Sequence, residues 1–509
     1  MSLPRRQFLK NMALSSAGIG LSIPVFPEVI PAKNGSRFTA DSMVGIQMAA
    51  HSLYDEGIER TLDFLNKDAA INTLMIYSHT YYGIDKKPMQ VLARDHFGLI
   101  PKNLANRKLP YVWVRHHEPA FKDTTLRHAP PQEGMEFFKQ DIFKDIAAPA
   151  RQRNMQVYAR MLEAGDSRGS DGIKNYDKVK TVTVYGKVGK GACWNHPEYR
   201  QWIYATMQDM FETYELDGLQ YGAERTGPLS NLVFKGEVPT CFCEHCRRRN
   251  QQKGIDPDRA TEGYRLLYEY IKKVEAGKDD SADTVIVNVF KFMQRYPEIL
   301  SWNYQWFRAD EEIQQEMFNR VKRVRAQAKV VRHIDHQRSS WDIFYRSAVD
   351  YSEMTASADY IKPIVYHDVY GPRLRHWVIE EWNKRIFRDM TEEQVLDMFY
   401  AWMGYSKSSR VALDRLDTES MGPSYVFDEI SRCVKAVNGK IPVIAGIGID
   451  VLRHSPAGMM PQLSDPEILK QAVFKAIEAG AGGLLASREY DEMRHSSLRA
   501  FGQAVRQLY

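Results

Sequence analysis

Eight short apolar runs recur along this chain of 509 residues, and stretches with helical spacing separate them. Such runs, bounded by turn-forming residues, are typical of buried strands. A helix between two of them makes the second strand parallel to the first. The repeated unit therefore predicts an α/β fold, a (β/α)8 TIM-type barrel. The predicted strands lie at 42–49, 71–77, 155–162, 216–221, 329–334, 360–366, 441–446 and 483–487.

Two connections between the predicted strands are longer than a barrel needs. They follow the second and fourth strands and cover about 84–150 and 247–327. We therefore expect one barrel domain over 40–509 with two long insertions. A doubly wound open sheet is the competing architecture. It gains no support from the first strand, because no glycine-rich phosphate-binding turn follows that strand.

The first 32 residues have the pattern of a leader rather than of a folded domain. Arg5 and Arg6 precede a Phe-Leu-Lys triplet and a weakly apolar run rich in Ala, Gly and Ser at 12–26. This pattern resembles a twin-arginine signal peptide over 1–32. A general secretory signal and a lipoprotein leader are alternatives, although no cysteine follows the run. We expect the mature protein in the periplasm or outside the cell.

Composition excludes some partners. The net charge of +5 is small for this length, and the basic residues form no long patch suited to nucleic acid. After the leader, no segment reaches the roughly 20 apolar residues that a membrane span requires. The sequence predicts no nucleic-acid partner and no membrane span in the mature form. It leaves homo-oligomerisation open.

Four of the five cysteines suggest a metal site. Cys241, Cys243 and Cys246 form a C-x-C-x-x-C motif, and Cys193 lies upstream of it. Four thiolates satisfy a tetrahedral structural zinc ion. Disulfides and free thiols are the alternatives for an exported protein, but Cys241 and Cys243 are too close in sequence to pair comfortably. Cys433 lies in an amphipathic stretch and is expected to be a buried core residue.

The segment from Cys193 to Cys246 resembles part of a known family. A cysteine, a helix, a strand ending in a glutamate and then C-[FY]-C-x-x-C occur in this order in the family-42 β-galactosidases, which are retaining barrel glycosidases. The resemblance implies a four-cysteine zinc cluster beside the general acid/base, here Glu224. Ala223 precedes Glu224 where that family has asparagine. The whole chain also resembles exported barrel glycoside hydrolases of unknown substrate that share its leader, GAERTGPL and SR-x-Y-x-EM.

Glycoside hydrolysis by the common route needs two carboxyl groups, and barrel enzymes carry them at the carboxyl ends of strands. Glu224 follows the fourth predicted strand and is the predicted general acid/base. Its partner is less defined. Asp450 after the seventh strand and Glu492 after the eighth rank equally, followed by Asp368 after the sixth. Each of these is also consistent with a loop charge or a helix cap.

Other polar and aromatic residues fall at predicted strand ends, where aromatic faces and charged groups suit a sugar. The predicted substrate-binding residues are His51, His79, Tyr81, Tyr82, Arg225, His367, Asp368, Arg488 and Tyr490. A catalytic metal held by His333, Asp335 and His336 is an alternative. The leading hypothesis is an exported glycosidase that acts on an oligo- or polysaccharide. The alternatives are a carbohydrate-binding barrel without catalysis and a barrel lyase or isomerase that acts on sugars.

Overall fold

The computed structural model describes residues 38–81, 95–99, 106–163, 169–455 and 458–509. The predicted leader at 1–32 and Tyr82 lie outside the described residues, so both stay predictions.

Eight parallel strands close into a barrel, as predicted. Each strand pairs with its sequence neighbours among the eight, and the last pairs with the first, where Val44 aligns with Leu484. The strands are β1 Val44–Met48, β2 Thr73–His79, β3 Gln156–Leu162, β4 Gly218–Gly222, β5 Lys329–Ile334, β6 Tyr360–Val365, β7 Ile444–Gly448 and β8 Gly483–Ser487.

Helices follow the strands and cover the outside of the barrel. Several begin with the residues that helix starts favour: Asp256 accepts hydrogen bonds from the first backbone amides of Pro257–Glu275, and Asp465 does the same for Pro466–Glu478. The longer helices are Ile58–Lys67, Ile142–Arg151, Pro197–Thr213, Glu244–Gln252, Pro257–Glu275, Val285–Arg295, Glu298–Val324, Glu392–Met403, Gly422–Val437, Pro466–Glu478 and His495–Arg506.

The long connections follow β2 and β4, as the sequence predicts. Two other connections contain short antiparallel strand pairs. The β3–β4 connection contains an antiparallel pair, Lys180–Val182 with Val188–Ala192. A second pair, Leu452–Ser455 with Gly458–Pro461, follows β7. Neither pair was predicted. Among the described residues, no helix is both long and apolar enough to cross a membrane.

The barrel interior changes from apolar to polar along the strands. Met75, Tyr158, Val331 and Leu485 belong to an apolar cluster inside the barrel. Side chains two residues further along a strand lie on the same face. Those positions hold Tyr77, Arg160, His333 and Ser487, and Lys362 follows Tyr360 in the same way. The carboxyl ends of the strands therefore enclose a polar site, and the apolar cluster fills the barrel interior below it.

Candidate active site

Glu224 lies two residues beyond the end of β4 and contacts His333 of β5. Nε2 of His333 is 3.3 Å from Oε1 of Glu224. The close approach depends on Gly222, because a Cβ on this residue would lie 2.7 Å from the His333 ring. The Glu224 side chain is 25% exposed, whereas that of His333 is 1% exposed. Glu224 is thus reachable by a ligand, and His333 supports it from beneath.

A buried layer of basic and polar side chains lies under Glu224. Nζ of Lys362 is 3.4 Å from Nδ1 of His333 and donates to Oγ of Ser487 at 2.9 Å. Gln47 donates to Gln220 across the barrel at 3.0 Å. Lys362 is fully buried, and this desolvation holds the pKa of its amine well below the ordinary value.

Glu489 is a second carboxylate at this mouth, and it was not among the predicted catalytic residues. It lies two residues beyond the end of β8, the same offset that Glu224 has from β4. Nη1 of Arg160 contacts its Oε1 at 2.5 Å, and the Glu489 side chain is 21% exposed. Its Oε2 has no hydrogen-bond partner among the described residues. The shared offset was the available signal in the sequence.

Arg160 connects the two carboxylates electrostatically. Its guanidinium stacks 4.0 Å from the centre of the Tyr77 ring. Burial opposes its charge, but the negative charges of Glu489 and Glu224 outweigh this effect and raise the pKa of Arg160 above its ordinary value. Both carboxylates therefore lie within electrostatic range of one buried cation.

Glu224 is held ionised. Burial alone would raise its pKa, but the hydrogen bond and charge of His333, with the charges of Arg160 and Arg488, lower the pKa of Glu224 to about 2. Burial, together with the nearby Lys362, lowers the pKa of His333 to about 4. At physiological pH a neutral His333 donates a hydrogen bond from its Nε2–H group to the carboxylate.

Asp450, one of the two predicted partners of Glu224, is built into a loop. It is 1% exposed. Its Oδ1 accepts from the Ser464 amide at 2.9 Å and the Ser497 hydroxyl at 3.0 Å, and its Oδ2 accepts from the Arg494 amide at 2.7 Å. The Asp450 carboxylate therefore stabilises the backbone of the loop that surrounds it.

The other two predicted carboxylates have different surroundings. Glu492 forms an ion pair with Arg488, four residues before it, and its side chain is 14% exposed. Asp368 follows β6, and its Oδ2 accepts from the Ser464 hydroxyl at 2.9 Å. Burial, and then the charge of Asp450, raise the pKa of Asp368 to about 7. Asp368 is therefore a carboxyl group that retains a proton near neutral pH.

Several predicted substrate-binding residues are buried in other contacts. Arg225 points away from Glu224: it binds Glu163 and the carbonyl of Ala192. Tyr490 is fully buried and donates to Glu56 at 2.6 Å. The loops turn these side chains toward the barrel wall, which the chain order alone does not show.

The remaining predicted binding residues are distributed around the β1, β2 and β6 ends. His51 lies 3.6 Å from Asp491. His79 and Tyr81 contact other histidines, His116 and His128, rather than the mouth residues. His367 is fully buried, and neither ring nitrogen has a partner among the described residues.

The proposed catalytic metal site of His333, Asp335 and His336 does not form. His333 contacts Glu224 and Lys362. His336 instead contacts the Tyr425 hydroxyl at 3.1 Å and Nη1 of Arg373 at 3.0 Å. The two rings face different partners because His336 already lies in the short helix His336–Ser340 beyond β5.

Four cysteines converge beside β4. The four sulfur atoms lie within 4.8 Å of one another, and none of them forms a disulfide. They belong to Cys193, Cys241, Cys243 and Cys246. Cys193 belongs to the connection before β4 and the other three to the connection after it. Cys433 is fully buried, as predicted for a core residue.

The cysteine cluster fits a zinc ion. The Cys193–Cys246 and Cys193–Cys243 sulfur distances are 3.4 and 3.5 Å. Zn–S bonds of about 2.3 Å give a tetrahedral sulfur–sulfur edge of roughly 3.8 Å. Backbone and side-chain amides of Asn195 also lie 3.3 Å from two of the sulfurs. Such N–H donors support thiolates that bind a metal.

Some solved structures that are similar to this chain are glycoside hydrolases. A β-galactosidase from the Antarctic haloarchaeon Halorubrum lacusprofundi matches with a TM-score of 0.51 at 11% identity, over 92% of this chain and 58% of that one. A β-galactosidase from Marinomonas ef1 matches with a TM-score of 0.49 at 9% identity, over 91% and 59% of the two chains. The PgaB (BpsB) glycoside hydrolase domain from Bordetella bronchiseptica gives 0.45 at 13% identity, over 88% and 94%.

The comparisons show the fold and assign no family. No protein-family model matches the chain. No curated protein matches it by sequence. At 11% identity, the likeness to the haloarchaeal enzyme shows a shared TIM-barrel fold, and the match covers 58% of the length of that enzyme.

Proposed function

We propose that the protein is a glycoside hydrolase in which Glu224 and Glu489 are the two catalytic carboxyl groups. One observation carries the proposal: two partly exposed carboxylates, each two residues beyond a barrel strand, both act electrostatically on the same buried Arg160. Glycosidases require such a pair at the carboxyl ends of their strands.

The electrostatics favour different roles for the two groups. The low pKa of Glu224 suits a nucleophile or a base for water, rather than the acid role expected from its strand position. The proton donor to the leaving oxygen is then Glu489, whose side chain is 21% exposed.

The substrate is a carbohydrate. Arg488, whose side chain is 21% exposed and whose charge acts on Glu224, provides hydrogen-bond donors at the mouth. Charged donors of this kind bind sugar hydroxyls. The proposal includes export by the twin-arginine leader to the periplasm or beyond, and one structural zinc ion on the four cysteines.

Variants of the two glutamates test the proposal. Mature protein is assayed against a dinitrophenyl glycoside and against an alkyl glycoside of the same sugar. Glu224→Gln should lose at least about 1000-fold in kcat on both substrates. Glu489→Gln should lose turnover of the alkyl glycoside and keep much of it on the dinitrophenyl glycoside, because a good leaving group needs no acid.

Glu492→Gln is the matched control, because Glu492 is paired with Arg488 in the same loop. It should change kcat less than about 10-fold. Full turnover by Glu224→Gln would remove Glu224 from the mechanism and overturn the proposal.

A carbohydrate-binding barrel without catalysis is the second candidate. One observation favours it: each carboxylate already contacts a protein base, Glu224 with His333 and Glu489 with Arg160. This candidate predicts that calorimetry detects binding of glycans to the wild-type protein, and that the protein hydrolyses none of these glycans.

A further inference from the structure

Three histidines from separate segments converge beside β2, away from the mouth residues. They are His79, the last residue of β2, with His116 and His128 of the β2–β3 connection. One ring nitrogen of each lies within 4.8 Å of the others. The His79 residue is 1% exposed and the His116 side chain 8% exposed. The proposed glycosidase mechanism uses none of them.

Hydrogen bonds fix the tautomers of His79 and His128. Ser78 donates its hydroxyl proton to a carbonyl of β3, so its Oγ accepts from Nδ1 of His79 at 2.8 Å. Thr206 donates to a carbonyl of its own helix, so its Oγ1 accepts from Nε2 of His128 at 2.9 Å. The remaining ring nitrogens, Nε2 of His79 and Nδ1 of His128, carry lone pairs.

His116 adds a third lone pair. Its Nδ1 donates to Oδ2 of Asp209 at 2.7 Å, so its Nε2 is unprotonated in the neutral ring. This Nε2 lies 3.0 Å from Nε2 of His79. Two lone pairs facing each other at this distance repel, and only a proton or a cation between them relieves the repulsion.

We propose that His79, His116 and His128 bind a divalent transition-metal ion of the zinc type. Neutral imidazoles whose second nitrogen is hydrogen-bonded are the usual protein ligands of such ions. Asp209 behind His116 is the carboxylate that orients a metal-bound histidine in these sites. Tyr81 donates to Nδ1 of His128 at 2.8 Å, and metal binding replaces this bond.

The site is structural, since it joins segments that are distant in sequence. It ties the β2–β3 connection to the end of β2 and, through Asp209 and Thr206, to the helix Pro197–Thr213. This is a second metal centre, separate from the cysteine cluster and independent of the proposed glycosidase activity.

Cobalt titration of the dialysed protein, which keeps the metal ion of its cysteine cluster, tests the site. Co²⁺ on thiolates gives intense ultraviolet charge-transfer absorption, whereas Co²⁺ on imidazoles gives only weak visible bands. The wild-type protein should therefore bind one Co²⁺ per chain that adds no thiolate absorption. His116→Gln should lose this ion, and Asp209→Asn should weaken its binding about 10- to 100-fold.

His117→Gln is the matched control. Its Nδ1 contacts the other oxygen of Asp209 at 2.9 Å, but its side chain is 64% exposed and lies outside the cluster. This variant should keep the ion. His79→Gln serves as a second ligand variant if His116→Gln does not fold, with circular dichroism as the folding check. The proposal is overturned if the only Co²⁺ that the wild-type protein binds shows thiolate absorption. The close contact between Nε2 of His79 and Nε2 of His116 is then explained by a proton between them.

Discussion

His333 contacts Glu224 through Nε2, and no Cβ on the adjacent Gly222 blocks the approach. Removal of this donor should raise the pKa of Glu224, because burial then acts with less opposition. His333→Phe keeps a ring of similar size and lacks the donor.

The acidic limb of the kcat/KM profile should therefore move up by at least one pH unit in His333→Phe. Infrared titration of the Glu224 carboxylate measures the same shift without turnover, by difference from Glu224→Gln. His376→Phe is the control, because His376 is exposed and pairs with Glu380. An unchanged carboxylate titration in His333→Phe would show that His333 does not set the charge of Glu224.

The cysteine cluster should contribute strongly to stability. Cys243→Ser removes one of four thiolates, and a structural zinc site contributes folding free energy directly. We expect loss of one zinc per chain and a fall in the free energy of unfolding on the order of 5 kcal/mol.

Elemental analysis and urea unfolding measure the two effects of Cys243→Ser. Cys433→Ala is the matched control, because Cys433 is buried in the core outside the cluster. It should keep the zinc and cost about 1 kcal/mol. Equal zinc content in wild-type protein and Cys243→Ser would exclude the four-cysteine site.

The barrel was predictable because its signals are local. Each strand is a short apolar run, and predicted and observed strands agree within a few residues, as for 329–334 and Lys329–Ile334. The cysteines were also predictable, since three of them share one short motif. Period-two alternation along β3 and β5 places Arg160 and His333 inside the barrel, a pattern visible in the sequence once the strands are assigned.

The arrangement of the site was less predictable because loop direction decides it. Arg225 is next to Glu224 in sequence, yet its guanidinium binds Glu163. Glu489 and Glu492 are three residues apart, and only Glu489 contacts Arg160 of β3. His79 and His116 are 37 residues apart, on a strand and in an irregular connection, so no local pattern joins them.

Asp450 should be a stabilising residue. Its carboxylate accepts hydrogen bonds from two loop amides and a hydroxyl in a buried setting, and Asp450→Ala leaves these donors unpaired. We expect a loss of about 2–4 kcal/mol in unfolding free energy, measured by urea denaturation.

Folded Asp450→Ala should keep turnover within about 10-fold of wild type. Asp414→Ala, at an exposed position, is the control and should be neutral in stability. A folded and stable Asp450→Ala protein without turnover would instead support the catalytic role that the sequence suggested for Asp450.

Asp368 should make stability fall as pH rises. Burial, and secondly the charge of Asp450, raise the pKa of Asp368 from 3.8 to about 7 in the folded protein. Between about pH 4 and 7 the folded protein therefore keeps a proton that the unfolded chain has lost. This group alone lowers the free energy of unfolding by at most about 1.4 kcal/mol per pH unit over that window, with no further change above it.

Asp368→Asn should remove this dependence. The amide oxygen can still accept from Ser464, so the loop contact is retained while the titrating group is lost. Urea unfolding at pH 4, 5.5, 7 and 8 should show wild-type stability falling relative to Asp368→Asn up to pH 7 and then running parallel to it. Asp465→Asn controls for a change of charge at an exposed helix cap. A constant difference between wild type and Asp368→Asn at all four pH values would show that Asp368 ionises at its ordinary pKa.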